Sequence, residues 1–267
     1  MQFLILSKIN LFLLKYASNN QISLLRKLNQ RKHRVKEQLF LAEGERTIEQ
    51  ILVNGLIDVV DIFIKPSRLD RFANLHKKMH LVEKAVFDEI SDTESPQGIV
   101  AICRMPDECS CNKISPKNGL LVATDSIQDP GNLGTIIRTA VWYGAVGLIL
   151  GAGSVDVYNP KVVRSTAGAT GVLPVCSGNL IDILPTLEKD GWQTLLLDAS
   201  EGATSIHKQP KHAKIILVAG NEANGINPAL IHPARKRVLL PASTPQQFVE
   251  SLNAGVAMSI ALAVVHN

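Results

Sequence analysis

The last helix of the chain restricts the fold more than any other stretch. From Ala254 to Val265 it reads Ala-Gly-Val-Ala-Met-Ser-Ile-Ala-Leu-Ala-Val-Val, apolar at almost every position and small at many. A helix of this kind has no wet face and is expected to be buried on all sides. Its opening carries Glu250, Ser251 and Asn253. Polar groups beside a buried helix must be hydrogen-bonded or cost about 1–3 kcal/mol each. An N-cap from Glu250 or Ser251 would meet that need, and so would a ligand at the helix N-terminus. The helix alone favours capping; two earlier segments reverse the preference.

Those segments lie at strand ends. Leu120–Thr124, Val146–Leu150, Thr194–Leu197 and Lys214–Ala219 are near-continuous apolar runs, the pattern of strands buried on both faces of a parallel sheet. Helical stretches separate them at Leu133–Tyr143, Pro160–Thr166 and Leu180–Lys189. Parallel sheets bind ligands at the carboxyl ends of their strands, and the polar, glycine-rich residues fall there. Asp125 to Gly134 follows Thr124 and leads into a helix carrying Arg138. Gly220-Asn221-Glu222-Ala223-Asn224-Gly225 follows Ala219, and Pro241 opens the loop from Leu240 to Ser251. Three such loops at one sheet edge are not three independent turns.

The first hundred residues differ. Ile22–Phe40 reads as one helix, with Leu25, Leu28 and Val35 on one side and Arg26, Lys27, Arg31 and Arg34 around the other. A strand through Phe40 breaks at Gly44 into a helix ending at Asn54-Gly55, a pair suited to the left-handed conformation. Strands at Val59–Ile64, Leu81-Val82 and Ile99–Cys103 and a helix over Ser67–Lys78 complete a small α/β unit. The domain boundaries are then an N-terminal extension at 1–21, a small α/β domain at 22–105, a linker rich in proline and polar residues at 106–118, and the parallel-sheet domain at 119–267. Met1–Leu14 is apolar but too short to span a bilayer. Its charges sit within and after the apolar run and no cleavage site follows, so it reads as an N-terminal helix rather than a secretion signal.

Charge is uneven. Net charge is +4, yet no acidic residue precedes Glu37, while Lys8, Lys15, Arg26, Lys27, Arg31, Lys32, Arg34 and Lys36 are all basic. A basic head on a mildly acidic body points to a polyanion such as nucleic acid, although a solvated helix face has the same composition. Cys103, Cys109, Cys111 and Cys176 have neither the spacing of a disulfide framework nor Cys-x-x-Cys or His-x-His partners for zinc, so reduced cytoplasmic thiols and no metal are expected. The chain contains no Gly-x-x-x-x-Gly-Lys-Ser/Thr phosphate loop, no strand followed by Gly-x-Gly-x-x-Gly, and no Gly-x-Ser-x-Gly. Ordinary nucleotide-binding and serine-hydrolase sites are thereby disfavoured.

Taken together, Asn132 to Ala140, Leu217 to Ile226, and Leu240-Pro241 with Glu250-Ser251-Leu252-Asn253 resemble the three motifs of the TrmH/SpoU branch of the SPOUT RNA methyltransferases. Residues 22–104 resemble that family's L30e-like substrate-binding domain, through Phe40–Glu45 and Pro96–Ala101. The resemblance implies an α/β fold with a C-terminal trefoil knot, dimerisation through the second domain, and each site bordered by the partner subunit. It implies methyl transfer from S-adenosylmethionine to a ribose 2′-hydroxyl of RNA, with the cofactor held around Gly220, Leu240, Leu252 and Thr124. Arg138 is the family's proposed base. That role is chemically awkward, because a guanidinium stays protonated above pH 12, and a phosphate or hydroxyl clamp is the easier assignment. Asn132 and Asn253 would orient the ribose or Arg138, Ser251 would fix its loop, and Glu222 would anchor the second motif or the subunit interface. Arg26, Lys27, Arg31, Lys32 and Arg34 would meet RNA phosphates. A separate substrate domain favours ribosomal over transfer RNA. The third motif departs from the family in its longer Pro241–Val249 loop, which lacks the usual glycine. A binding protein that keeps the fold without catalysis remains the alternative, distinguished by RNA binding without cofactor binding.

Overall fold

The computed structural model describes residues 14–72, 78–91, 96–111, 114, 118–210, 212–243 and 251–266. The chain forms two compact units, one reaching to Pro106 and including Tyr158–Gly168, the other comprising Asp107–Val157 and the chain from Ala169 onward.

The first unit runs β1 (Lys15–Tyr16), α1 (Asn19–Leu28), α2 (Arg31–Glu37), β2 (Leu39–Glu43), α3 (Glu45–Asn54), β3 (Val59–Ile64), α4 (Leu69–Phe72), β4 (Met79–Leu81), α5 (Lys84–Ile90) and β5 (Ile99–Arg104). Its five-stranded sheet has the order β1-β4-β3-β5-β2, parallel except where β5 pairs with β3 and β2. Strand alternation puts Phe40, Ala42, Ile62, Ile64 and Ala101 into one core and Leu41, Phe63, Val100 and Ile102 into the other. Cys103 lies in the first core, where burial, aided by the charge of Asp58, pushes its thiol up to about 12.

Here the expected single helix over Ile22–Phe40 is corrected to two. Asn29 closes α1 and Gln30 turns extended (φ −99°, ψ 131°) before α2 begins. The break resets the helical phase, so Arg34 is buried and Val35 is 52% exposed, the reverse of the expectation. The Arg34 guanidinium donates to the carbonyls of Leu28 and Asn29, both at 2.9 Å, which the end of α1 leaves without helical partners. The expected helix from Ser67 is a 3-10 turn over Pro66–Arg68 followed by α4, and residues 73–77 lie outside the described set. The Met1–Leu14 expectation also lies there, except for Leu14, which is not helical.

The second unit is built on β6 (Gly119–Thr124), α6 (Pro130–Trp142) and β7 (Gly147–Gly151). Next comes α7 (Pro160–Ser165), which belongs to the first unit, and then β8 (Val175–Gly178), α8 (Leu180–Lys189), β9 (Gln193–Leu197), β10 (Thr204–Ser205), β11 (Lys214–Ala219), β12 (Lys236–Leu239) and α9 (Ala254–His266). Its seven strands are all parallel, in the order β10-β12-β9-β11-β6-β7-β8. The expected α/β class and parallel sheet are thus present. In the first unit, α7 buries Val163 among the β2 and β3 side chains. Beside it Tyr158 packs on Phe40 at 5.0 Å and Arg164 pairs with Glu43 at 3.4 Å.

Two further expectations are corrected. Cys111 is disulfide-bonded to Cys176 on β8, 65 residues away, with their Cα atoms 5.2 Å apart, while Cys103 and Cys109 are free. The terminal helix is not buried on every side. Gly255, Met258, Ala261 and Leu262 are buried, but Val256 is 45% and Ile260 40% exposed. Among the described residues no helix is long and apolar enough to cross a membrane.

Candidate active site

The carboxyl ends of β6, β9, β11 and β12 carry the loops that build the site. Asp129 caps α6 by accepting the Asn132 backbone N–H at 2.7 Å, and Pro130 occupies the first helical position, where no N–H is needed. Asn132 is consequently held at the mouth of the helix, 7% exposed, with its amide donating to Glu222 Oε1 at 2.9 Å. The Glu222 carboxylate also accepts the backbone N–H groups of Gln128 and Asp129, each at 3.1 Å. Desolvation by burial pushes the Glu222 carboxyl up, but the hydrogen bonds from Asn132 and these backbone groups outweigh it and hold the carboxyl below its ordinary range. A carboxylate so occupied, at a helix N-terminus that favours negative charge, is an anchor between the β6 and β11 loops.

The β11 loop is a tight turn. Asn221 and Gly225 exchange backbone hydrogen bonds at 2.9 Å, and Asn221 Oδ1 accepts from Ala223 and Asn224 N–H while its amide donates to Ser126 O at 2.7 Å. A Cβ on Gly220 would stand 2.4 Å from the Gly225 carbonyl carbon, so no other residue fits. Asp125 accepts the Asn227 N–H at 2.7 Å and fixes the far end of the turn. Asn221 and Asp125 were not singled out from sequence. Asn221 stands inside the second motif, and Asp125 is the first residue after β6; its position at a strand end was the available signal.

At α9 the cap is Asn253, whose Oδ1 accepts the Val256 N–H at 3.2 Å and whose carbonyl accepts the Ala257 N–H at 2.8 Å. The capping alternative, which named Glu250 or Ser251, thus falls to Asn253; Glu250 lies outside the described residues. Gly255 allows the crossing of α9 over α6, since a Cβ there would meet the Asn132 Cα, the Asn132 carbonyl oxygen and the Asn253 side chain at 3.3 Å each. Asn132 and Asn253 are brought together by that absence of a side chain.

A cleft of about 750 Å³ opens between these loops. Gly220, Leu240, Leu252, Ser251, Asn253 and Glu222 all line it, and so do Asp198 and Ser200 of the loop after β9, which sequence reading missed. Thr124 does not: it is fully buried, and its hydroxyl pairs with Ser154 at 3.0 Å. Arg138 does not line the cleft of its own chain either. It is exposed, six residues or about 9 Å along α6 from Asn132, and on another side of the helix. In the first unit Lys27, Arg31 and Lys32 are exposed, Arg26 pairs with Glu89 at 2.6 Å, and buried Arg34 is withdrawn from any ligand. Among the described residues no cluster of three His, Cys, Asp or Glu side chains is placed to hold a metal.

A parallel sheet with a mixed polar and apolar cleft at its carboxyl edge defines an α/β protein built to bind a small ligand. Residues 119–263 match the SpoU rRNA methylase family, and residues 19–101 match the MRM3-like substrate-binding domain. The chain is 32% identical over 245 residues to the Bacillus subtilis 23S rRNA (guanosine(2553)-2′-O)-methyltransferase RlmP, covering 91% of this chain and 95% of that one. A putative TrmH-family RNA methyltransferase of Porphyromonas gingivalis superposes with a TM-score of 0.76 at 32% identity, covering 93% of this chain and 97% of its own. An AdoMet-bound rRNA methyltransferase of Sinorhizobium meliloti superposes with a TM-score of 0.79 at 26% identity, covering 94% and 96%. The chain belongs to the SpoU rRNA methylase family.

Proposed function

We propose that this protein transfers a methyl group from S-adenosylmethionine to a ribose 2′-hydroxyl of ribosomal RNA, in the cytoplasm, as a homodimer with a knotted C-terminal domain. The observation that carries the reading is the cleft itself. It gathers Gly220, Leu240, Leu252, Ser251 and Asn253 at one sheet edge, in a chain related over nearly its whole length to a 23S rRNA 2′-O-methyltransferase.

The cleft fits the cofactor chemically. Its volume suits a ligand of nucleoside size. Leu197, Ile226, Leu239 and Leu240 offer apolar walls for a base, and Asn221, Asn224, Ser200 and Asn253 offer polar groups for hydroxyl, amino and carboxyl ends. When bound, S-adenosylmethionine supplies a methyl group activated by a sulfonium. The chain's own task is to place a ribose hydroxyl in line with that methyl and take up its proton. Asn253 and Ser251 stand at the rim where a ribose would enter. Asn132, locked by Glu222, holds the crossing of α6 and α9 that sets Asn253 in place. Arg138 clamps a phosphate or the hydroxyl as a cation. It lies outside its own chain's cleft, which is a reason to place it at the cleft of a partner subunit. The apolar groove of about 540 Å³ beside Tyr143, His207, Val256 and Ile260 supports dimerisation along α9. Lys27, Arg31 and Lys32 contribute phosphate attraction without sequence reading.

The test is methyl transfer from labelled S-adenosylmethionine to deproteinised ribosomal RNA and, separately, to transfer RNA, both from cells lacking the gene. Label in ribosomal RNA that falls at least 100-fold with Arg138→Ala is the expected result, the scale set by loss of a transition-state charge contact. Label in transfer RNA alone would reassign the substrate. RNA binding with neither label nor cofactor binding would replace the enzyme by a binding protein.

A further inference from the structure

The loop after β9 is built unlike the other walls of the cleft. β12 lies between β9 and β10 in the sheet, so the segment Asp198–Ala203, which joins β9 to β10, must cross over the carboxyl end of β12. Arg237 of β12 lies beneath this arch. Its Nε donates to Asp198 Oδ2 at 2.7 Å, one Nη2 hydrogen bond goes to Ser200 Oγ, and another goes to the Glu201 carbonyl at 2.7 Å. Asp198 in turn accepts the Ser200 backbone N–H at 2.9 Å and the Ser200 hydroxyl at 2.8 Å. The Asp198 backbone is tied to Val238 O at 3.0 Å. Arg237 and Asp198 are 26% and 16% exposed at their side chains, so water competes only partly for the pair. Burial raises the Asp198 carboxyl, but the bonds from Ser200 and Arg237 overcome it and keep the group ionised below its usual range.

Leu197, Asp198, Ala199 and Ser200 line the cleft, and so do Val238, Leu239 and Leu240, the residues directly after Arg237. The ladder already joins the two strand ends, Leu197 beside Val238; the guanidinium fixes the Asp198–Glu201 segment that rises from that edge. The β11 loop is held by the paired backbone bonds of Asn221 and Gly225, whereas in this arch the backbone contributes the turn from Ala203 N–H to Ser200 O at 3.2 Å. This arch has Gly202 in the left-handed region (φ 86°) and closes through the arginine fork. A planar fork with several donors in fixed geometry suits a guanidinium and not an ammonium.

We propose that Arg237 is a positioning residue for the cofactor half of the site, setting the width of the cleft through Asp198 and Ser200 and so the affinity for S-adenosylmethionine. The inference rests on the methyltransferase reading above. Because the arch touches neither Asn132, Asn253 nor Arg138, its loss affects cofactor binding and leaves the chemical step and RNA binding in place.

The experiment measures S-adenosylmethionine binding by calorimetry, and KM and kcat for methyl transfer, for the full chain and for Arg237→Lys, Asp198→Asn and the double variant. Arg237→Lys is expected to raise Kd and KM for the cofactor about tenfold, as for loss of charge-assisted hydrogen bonds, with kcat at saturating cofactor within about twofold and the KM for RNA unchanged. The double variant should be no weaker than the weaker single one, because both act through one network. Equal cofactor affinity in wild type and Arg237→Lys at unchanged melting temperature overturns the proposal. So does a fall in kcat with cofactor KM unchanged. If Arg237→Lys does not fold, Gly202→Ala, which strains the arch at its left-handed residue without altering a side chain that lines the cleft, carries the test. A rise of about threefold in Kd supports the proposal, and no rise overturns it. A wild-type protein that binds no S-adenosylmethionine overturns the methyltransferase reading itself, a result distinct from all of these.

Discussion

Glu222 lines the cleft and also anchors one of the loops that form it. Its two oxygens accept from Asn132, Gln128 and Asp129, so protonating the carboxylate would weaken the contacts that fix the β6 loop. Glu222→Gln keeps the shape and sets an amide N–H against a backbone N–H. The expected cost is about 1 kcal/mol by urea unfolding at pH 7, discounted because the side chain is partly in water. The sign with pH follows from the lowered carboxyl of Glu222. A group depressed in the folded state stabilises above the ordinary carboxylate range, near pH 4.3, and loses that contribution as pH falls through its lower folded value. The gap between wild type and Glu222→Gln should be full at pH 6 and shrink as pH falls below about 4. A gap independent of pH would mean that the charge of Glu222 does not matter. The anchoring role suggested by the sequence resemblance fits this geometry. The partners themselves were illegible, because two of the three are backbone groups.

At the scale of elements, the α6–α9 crossing depends on one missing side chain. Gly255→Val would press methyl groups onto the Asn132 backbone, which cannot yield as a flexible side chain would. The expected loss is about 1–3 kcal/mol in unfolding free energy. Cofactor affinity should fall with it, because Asn253 moves with the helix start. Unchanged affinity in a destabilised Gly255→Val would separate the crossing from the cleft. The strands around this crossing were legible: β6, β7, β9 and β11 are apolar on both faces, and a run such as Leu217-Val218-Ala219 has few other homes than the middle of a parallel sheet. Short edge strands were not. β8 and β10 carry few apolar residues, since an edge has one neighbour and little to bury. The α1–α2 break was equally silent, as Asn29-Gln30 contains neither proline nor glycine, and with it went the burial of Arg34. The Cys111–Cys176 bond and the placement of α7 in the first unit are contacts between distant segments, which local periodicity does not encode.

At the scale of the whole molecule, the terminal helix was read as buried on all sides and is covered on one. Val256 and Ile260 lie exposed along an open apolar groove, and Trp142 at the end of α6 is 83% exposed. Apolar surface gathered along packed helices is the usual mark of an association face. If a second copy covers it, the sequence pattern was correct for the dimer and misleading for the single chain. The same step would account for Arg138, which stands outside the cleft of its own chain. In a two-fold dimer each composite site would take its cleft from one subunit and its arginine from the other, so two defective chains can complement each other. Arg138→Ala and Asn253→Ala, each inactive alone, are co-expressed with different tags and purified through both. Every mixed dimer then holds one site with an intact cleft and an intact arginine, and one site with neither. The expected activity is about half that of wild type per dimer. Activity no higher than that of the single variants would place Arg138 in the site of its own chain, and would require α6 to turn it toward the cleft when RNA binds.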